Sequence, residues 1–209
     1  MSIWLSQFVD RVSGEQFAAE TRKEPAKMGT IRVHEFVSLD GVIDAPAWTF
    51  EFGYDPAMGR DIGNLMSGCQ AILLGRNTYE MFAPAWSTRT ADEDPGAPFM
   101  NESTKYVVSS TLEEVTWRNS KIVGPYGPEA IRQVKAEVDG GIYVSGSSTL
   151  VQALITDGLL DELHLFVYPV TRGAGPRVFP DGLRTTWSLA RSATYDNGVL
   201  YLVYQASTS

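Results

Sequence analysis

Apolar positions recur along the chain in short runs separated by glycine, proline and charge. Ile31, Val33, Phe36 and Val37 place a strand over Ile31 to Leu39. It closes on Ser38-Leu39-Asp40-Gly41, a turn signal with a carboxylate at the strand end, and Val42-Ile43-Asp44 continues it briefly. Asp55-Pro56 opens a helix, with Asp55 as cap and Pro56 in the first position. Met58, Ile62, Leu65 and Met66 follow helical spacing, and Gly68 ends that helix. Residues 70–74 read as a buried strand that runs into Gly75. A helix over 78–82 follows, with Asn77 as N-cap and Glu80 as its reciprocal partner. Residues 84–98 are rich in Pro, Ala and acid and read as a surface loop.

Lys105 to Ser109 and Lys121-Ile122-Val123 supply two more strands. Pro128 starts a helix with Ile131, Val134 and Val138 inward, stopped by Asp139-Gly140-Gly141. A strand at Ile142–Ser145 then runs into Gly146-Ser147-Ser148-Thr149 and a helix carrying Leu150, Val151, Leu154 and Ile155. Asp161 to Val170 is a long strand, and residues 171–182 are a Gly/Pro-rich loop. Trp187 to Thr194 and Val199 to Gln205 flank Asp196-Asn197-Gly198, a hairpin signal. Early strands alternate with helices and the chain ends in a hairpin. The pattern predicts an α/β fold: a mostly parallel sheet, helices on both faces, and an antiparallel edge.

Two junctions carry candidate chemistry. At Gly75-Arg76-Asn77 a strand end, a glycine, an arginine and a helix start coincide. Free N–H groups and the helix dipole attract an anion there, and Arg76 can add a charge-assisted bond. The plain alternative is an ordinary strand–helix turn with a solvated arginine. Gly146-Ser147-Ser148-Thr149 is a second candidate anion seat, although Ser147 or Ser148 caps the helix in either case. Ligands of such sheets sit outside the carboxyl ends of the strands. Asp40, Gly75-Arg76, Ser109-Ser110 and Gly146-Ser147 all lie at predicted strand ends and are expected to converge on one cleft. Trp48, Phe50, Phe52 and Tyr54, with Glu51 among them, make residues 45–54 aromatic. They form either a satellite core or the wall of a pocket for a flat ring; the pocket is the reading favoured here.

Composition narrows the classes. Of 209 residues 44% are hydrophobic and 20% charged, as in a globular protein with one substantial core. A net charge of −8 without a basic block argues against a nucleic-acid partner. No apolar run reaches the roughly 20 residues that span a bilayer, and no signal-peptide pattern is present. One cysteine, Cys69, and two histidines offer no metal-ligand spacing, so no metal is expected. Cys69 is expected to be small and buried. The expectation is a soluble cytoplasmic protein. Residues 1–27 read as an extension: Ile3, Leu5, Phe8, Val9 and Val12 could line one helix face, and Glu15 to Pro25 form a polar linker. The folded domain is expected to occupy residues 28–209.

Four motifs stand in a telling order: Ser38-Leu39-Asp40-Gly41, Leu74-Gly75-Arg76-Asn77-Thr78-Tyr79-Glu80, Val144-Ser145-Gly146-Ser147 and Asp161-Glu162-Leu163-His164-Leu165. Over roughly residues 30–205 the chain resembles the dihydrofolate reductase superfamily. It is closer to the branch that includes the reductase domain of bacterial riboflavin biosynthesis. The resemblance implies a dihydrofolate-reductase-like three-layer fold and an NADPH-dependent oxidoreductase. By that likeness Gly75, Arg76, Asn77 and Thr78 sit on the cofactor's phosphates. Ser109 and Ser110 lie near the adenosine ribose and its 2′-phosphate, and Gly146, Ser147, Ser148 and Thr149 meet the pyrophosphate. Asp40 borders the substrate and nicotinamide. A Ser147 in place of the usual second glycine leaves less room beside the pyrophosphate. No deaminase pattern precedes the matched stretch, so the bifunctional riboflavin enzyme is not expected. Asp55 and Asp61 are both available for the family's pterin-binding carboxylate.

The expected activity is hydride transfer to a small heterocyclic acceptor such as a pterin or pyrimidinone. The alternative is a nucleotide-binding sensor on the same fold without turnover. Asp40 is the expected catalytic acid, with a pKa raised by burial beside Trp48 and Phe50; the plain alternative is an Asx-turn. Trp48, Phe50, Glu51, Phe52, Asp55 and Asp61 are the expected substrate contacts. A homodimer is expected from the likeness and from the apolar loops and terminal hairpin. Truncation to Met28 should leave the melting temperature nearly unchanged, because a polar, proline-containing stretch separates residues 1–27 from the core pattern. A large drop in a thermal melt would show that the extension packs on the domain.

Overall fold

The computed structural model describes residues 28–43 and 46–206. The extension 1–27 and Asp44 lie outside the described residues. The sheet has eight strands: β1 (Thr30–Ser38), β2 (Cys69–Gly75), β3 (Thr104–Val108), β4 (Ser120–Gly124), β5 (Gly141–Ser145), β6 (Glu162–Tyr168), β7 (Trp187–Thr194) and β8 (Leu200–Ala206). Their order is β4-β3-β2-β5-β1-β6-β8-β7. All pairs from β4 through β6 are parallel, and β8 runs antiparallel to both β6 and β7. The mostly parallel sheet with an antiparallel end is therefore present. No helix among the described residues is long and apolar enough to cross a membrane.

Helices cover both faces, which is why the inner strands read as nearly continuous apolar runs. Helices α1 (Pro56–Ser67), α2 (Arg76–Trp86) and α3 (Ala97–Glu102) lie on one side, and α4 (Pro128–Glu137) and α5 (Ser148–Thr156) on the other. Odd residues Ile31, Val33 and Val37 of β1 join Ile142, Val144, Ile131, Val134, Val151 and Leu154 in the larger core. On the opposite face Ile72, Leu74, Val107 and Tyr143 meet Leu65, Tyr79 and Met100. Cys69 is buried at the start of β2, as expected of a small apolar residue.

Three local expectations are corrected. Helix α2 begins at Arg76, with Gly75 as an extended N-cap at φ −79°, ψ 160° and no side-chain cap. Glu80 does not close a capping box on Asn77; it pairs with Arg76 at 3.2 Å across one helical turn. The helix also runs through Pro84, so the stretch that reads as a loop starts inside α2, and α3 begins at its far end with Ala97. Asn101 organises that stretch: its amide donates to the carbonyls of Trp86 and Arg89 and accepts from Trp117 Nε1 at 2.8 Å.

The aromatic segment is the third correction. Residues Pro46–Phe52 form a 3-10 turn. Trp48 is buried edge-on against Tyr168, with ring centroids 5.3 Å apart, and Phe52 meets the same ring at 5.4 Å. Phe50 is 85% exposed. The segment is a satellite core with Met58, Phe166, Tyr195 and Tyr201. Indole and phenyl rings under a long connection find more apolar contact there than at a polar cleft mouth.

Phe166 is the centre of that cluster. It is fully buried and stacks on Tyr201 at 4.5 Å while His34 meets its edge at 5.1 Å. Phe166→Ala should cost about 3–5 kcal/mol of stability. Urea unfolding should show a lower midpoint with an unchanged slope; an unaltered midpoint would mean that the cluster collapses without loss.

Candidate active site

The carboxyl ends of the parallel strands open into one cleft of about 760 Å³. Its wall follows the strand order. Pro125 and Tyr126 stand beyond β4, Ser109, Ser110 and Thr111 beyond β3, and Gly75, Arg76, Asn77 and Thr78 at the junction of β2 and α2. Ser145 to Leu150 follow from the junction of β5 and α5, and Glu35, Phe36, Ile43 and Pro46 close the β1 end. Parallel topology produces this convergence, because each crossover starts its helix at the same edge of the sheet.

Helices α2 and α5 both begin here, and neither has a side-chain cap hydrogen bond. Their first N–H groups have no partner inside the helix, and the dipole adds positive potential at each end. Arg76 is about half exposed and shared with Glu80. Ser109 is buried, and its Oγ accepts from the N–H groups of Thr111 at 3.1 Å and Leu112 at 2.9 Å, so it also shapes its own turn.

Ser147 ties the two helix starts together. Its Oγ accepts the Gly75 N–H at 3.1 Å and lies 2.5 Å from Thr78 Oγ1. It adopts φ 67°, ψ 68°, a left-handed conformation that glycine takes more easily. A Cβ on Gly75 would come 2.6 Å from that hydroxyl, so any larger residue at 75 would push the Ser147 side chain off its bond to the 75 N–H. The reduced room expected beside the second glycine position is thus filled by a hydroxyl that already binds one backbone donor.

Glu35 is the residue that sequence reasoning missed. It is 4% exposed, lines the cleft and leaves Oε1 without a hydrogen-bond partner. Burial raises its pKa from 4.5 to about 8, while the Gly146 N–H bonded to it works the other way. The available signal was strand parity: Glu35 falls on the odd face of β1, between Val33 and Val37, where every neighbour is aliphatic.

The model for the RibD C-terminal domain matches residues 29–201. The chain belongs to this family. No curated protein matches it. Among solved structures, it is similar to a protein assigned to riboflavin biosynthesis in Shewanella sp. PV-4, with a TM-score of 0.67 and 19% identity over 86% of this chain and 99% of that one. It is also similar to RibD of Acinetobacter baumannii, with a TM-score of 0.59 and 16% identity over 87% of this chain and 58% of that one. A third is dihydrofolate reductase from Enterococcus faecalis complexed with NADP(H) and RAB-propyl, with a TM-score of 0.58 and 16% identity over 87% of this chain and 98% of that one. At these identities the likenesses establish the fold, which is dihydrofolate-reductase-like.

In this RibD C-terminal domain the expected acids lie elsewhere. Asp40 is half-buried and does not line the cleft. Its carboxylate accepts from Ser38 Oγ at 2.6 Å and from the N–H groups of Arg172 at 3.0 Å and Gly173 at 2.7 Å. The Ser38 bond first, then those amides, hold its pKa near 2, the reverse of the expected rise. It anchors the Gly/Pro-rich loop. Asp61 accepts from Arg191 at 2.7 Å and from the Tyr195 hydroxyl at 2.6 Å, binding α1 to the terminal hairpin. Asp55 caps α1 through the Ala57 N–H at 2.7 Å and also accepts from Asp196 N–H at 3.1 Å. Glu51 is exposed, and none of Trp48, Phe50, Glu51, Phe52, Asp55 and Asp61 lines the cleft.

The depressed pKa of Asp40 sets a pH window. A group lowered on folding adds stability that is complete above its unfolded value of 3.8 and is lost as pH falls toward about 2. Protection of the Arg172 and Gly173 amides against hydrogen exchange, relative to the intrinsic rate, should therefore fall over that acid range, and in Asp40→Ala it should be low at neutral pH too. Equal protection in the variant would show that the loop is held by other contacts.

Proposed function

We propose that the chain is an NADPH-dependent reductase of a small heterocyclic acceptor. The observation that carries this reading is the pair of uncapped helix N-termini opening onto one cleft beside Arg76. Two phosphate-seeking ends at neighbouring strand tips suit a dinucleotide better than a single anion. A cleft of about 760 Å³ falls in the usual range for small-molecule sites. The donor set fits the cofactor: Arg76, Asn77 and Thr78 at α2, Ser148 and Thr149 at α5, and Ser110 beyond β3 would hold its phosphates and ribose. Membership of the RibD C-terminal family and the NADP(H) of the E. faecalis structure support the same reading.

A bound NADPH would supply the hydride. The chain's own residues would bind and orient. Polar side chains crowd the β2 and β3 ends of the cleft, whereas Phe36, Ile43 and Pro46 stand at the β1 end. That gradient supports phosphates on the β2–β3 side and a flat, largely apolar ring on the β1 side. Arg76 is the only cation and Glu35 the only acid lining the cleft among the described residues. Arg76 would favour NADPH over NADH by meeting the extra phosphate.

A charge-assisted bond contributes about 1.5–3 kcal/mol. Exposure and the competing Glu80 bring Arg76 toward the low end, about tenfold in affinity. Fluorescence titration should show NADPH bound more tightly than NADH, and Arg76→Ala should weaken NADPH more than NADH. Equal affinities in the unmodified protein would sink the preference, and no binding of either would sink the reading. NADPH oxidation across a panel of pterins, pyrimidinones and flavins separates a reductase from a nucleotide sensor, which would bind NADPH and oxidise none.

A further inference from the structure

An acid on the buried face of a strand is costly. Burying a carboxyl without a full set of partners loses hydration that nothing replaces. Positions 31, 33 and 37 of β1 are aliphatic and pack into the larger core. Position 35 shares their face, yet it carries a glutamate whose Oε1 is unpartnered and whose side chain reaches the β1 end of the cleft. Aliphatic packing would serve the fold better there, so the carboxyl answers to something that enters the cleft.

We propose that Glu35 donates the proton that the acceptor takes up during reduction. This rests on the reductase reading above. The acceptor then presents a C=N or C=O bond at the β1 end of the cleft. Its carbon receives the hydride, its π electrons move to the heteroatom, and the Glu35 O–H transfers its proton there. The nicotinamide is oxidised, the acceptor is reduced by two electrons, and Glu35 is left as a carboxylate that regains a proton from water through the cleft mouth. The acceptor class follows: an uncharged ring with an imine or lactam edge, which a protonated carboxyl can meet by donating its O–H and accepting an N–H.

The surroundings keep Glu35 protonated at neutral pH. Burial lifts its pKa to about 8. Helix α5, which covers this face, carries no titratable side chain between Ser148 and Thr156. Leu165 of β6 is its register partner, and Val144 lines the same face of β5. Tyr143 of β5 and His34 of β1 bond each other on the opposite face at 2.8 Å. Arg76 on α2 is ion-paired with Glu80. No cation among the described residues forms a salt bridge with Glu35.

Two variants test the assignment. Glu35→Gln keeps shape and removes the proton; Glu35→Asp keeps the proton on a shorter arm. NADPH affinity should be unchanged in Glu35→Gln, and turnover should fall about 10²-fold or more. In the unmodified protein the rate should fall as pH rises through about 8, because the acid form is lost. Glu35→Asp should keep partial turnover and an alkaline limb, and Glu35→Gln should lose that limb. Difference infrared spectroscopy gives a readout without turnover. A protonated-carboxyl band should be present at neutral pH, fade above about pH 8 and be missing from Glu35→Gln. Full turnover with an unaltered pH profile in Glu35→Gln would overturn the assignment and leave the reductase reading standing. Failure of the unmodified protein to bind or oxidise NADPH would overturn both.

Discussion

Strand β1 in the centre of the sheet, hydrogen-bonded in parallel to β5 on one side and β6 on the other, is the constraint on which the rest depends. Parallel neighbours demand crossovers, and crossovers demand helices on the faces. Both faces of the central strands are therefore sealed, and all their carboxyl ends meet at one edge. The cleft is a consequence of that arrangement rather than a feature added to it. Its two anion-seeking helix starts and its acid all stand within a few residues of where β1, β2 and β5 stop being sheet.

Two residues at this edge break local rules, and both break them toward the cleft. Ser147 accepts a left-handed backbone and spends its hydroxyl on the Gly75 N–H. Glu35 occupies a core position with an oxygen left over. Strain and unsatisfied polarity of this kind persist where the surrounding structure holds them and a ligand uses them. By contrast the acids with complete sets of partners, Asp40, Asp55 and Asp61, hold a loop, a helix start and a hairpin. A satisfied carboxylate has its lone pairs committed, which leaves little for a substrate.

Much of the fold was legible in local pattern. Ile72-Leu73-Leu74 running into Gly75, and Ile142 to Ser145 running into Gly146, announce strand–helix junctions because an apolar run can end only where the chain leaves the core. Asp196-Asn197-Gly198 announces the antiparallel end because a tight hairpin needs residues that tolerate positive φ. What failed were inferences about partners. Asn77 and Glu80 have capping-box spacing, yet Glu80 turns to Arg76, a cation one helical turn away. Trp48 and Phe52 suit a pocket wall as well as a core, the pocket being favoured from sequence, and only Tyr168 arriving from β6 decides for the core. Lys105 reads as the polar start of a strand, but its Nζ is buried and donates to the carbonyls of Met100, Asn101 and Ser103.

The sequence by itself determined most of the elements, the parallel-then-antiparallel order and the two glycine junctions where helices start at strand ends. Those properties depend on period, turn chemistry and backbone freedom, all read within a few neighbouring residues. Tertiary structure decided which acid enters the cleft. Asp40 stands at the turn that borders a strand end, yet two amides from residues 172 and 173 hold it outside. Glu35 sits inside an apolar strand, where it becomes visible only when β5 and α5 close over it. The ionisation of a carboxyl depends on what surrounds it in space, and those groups lie more than a hundred residues away along the chain.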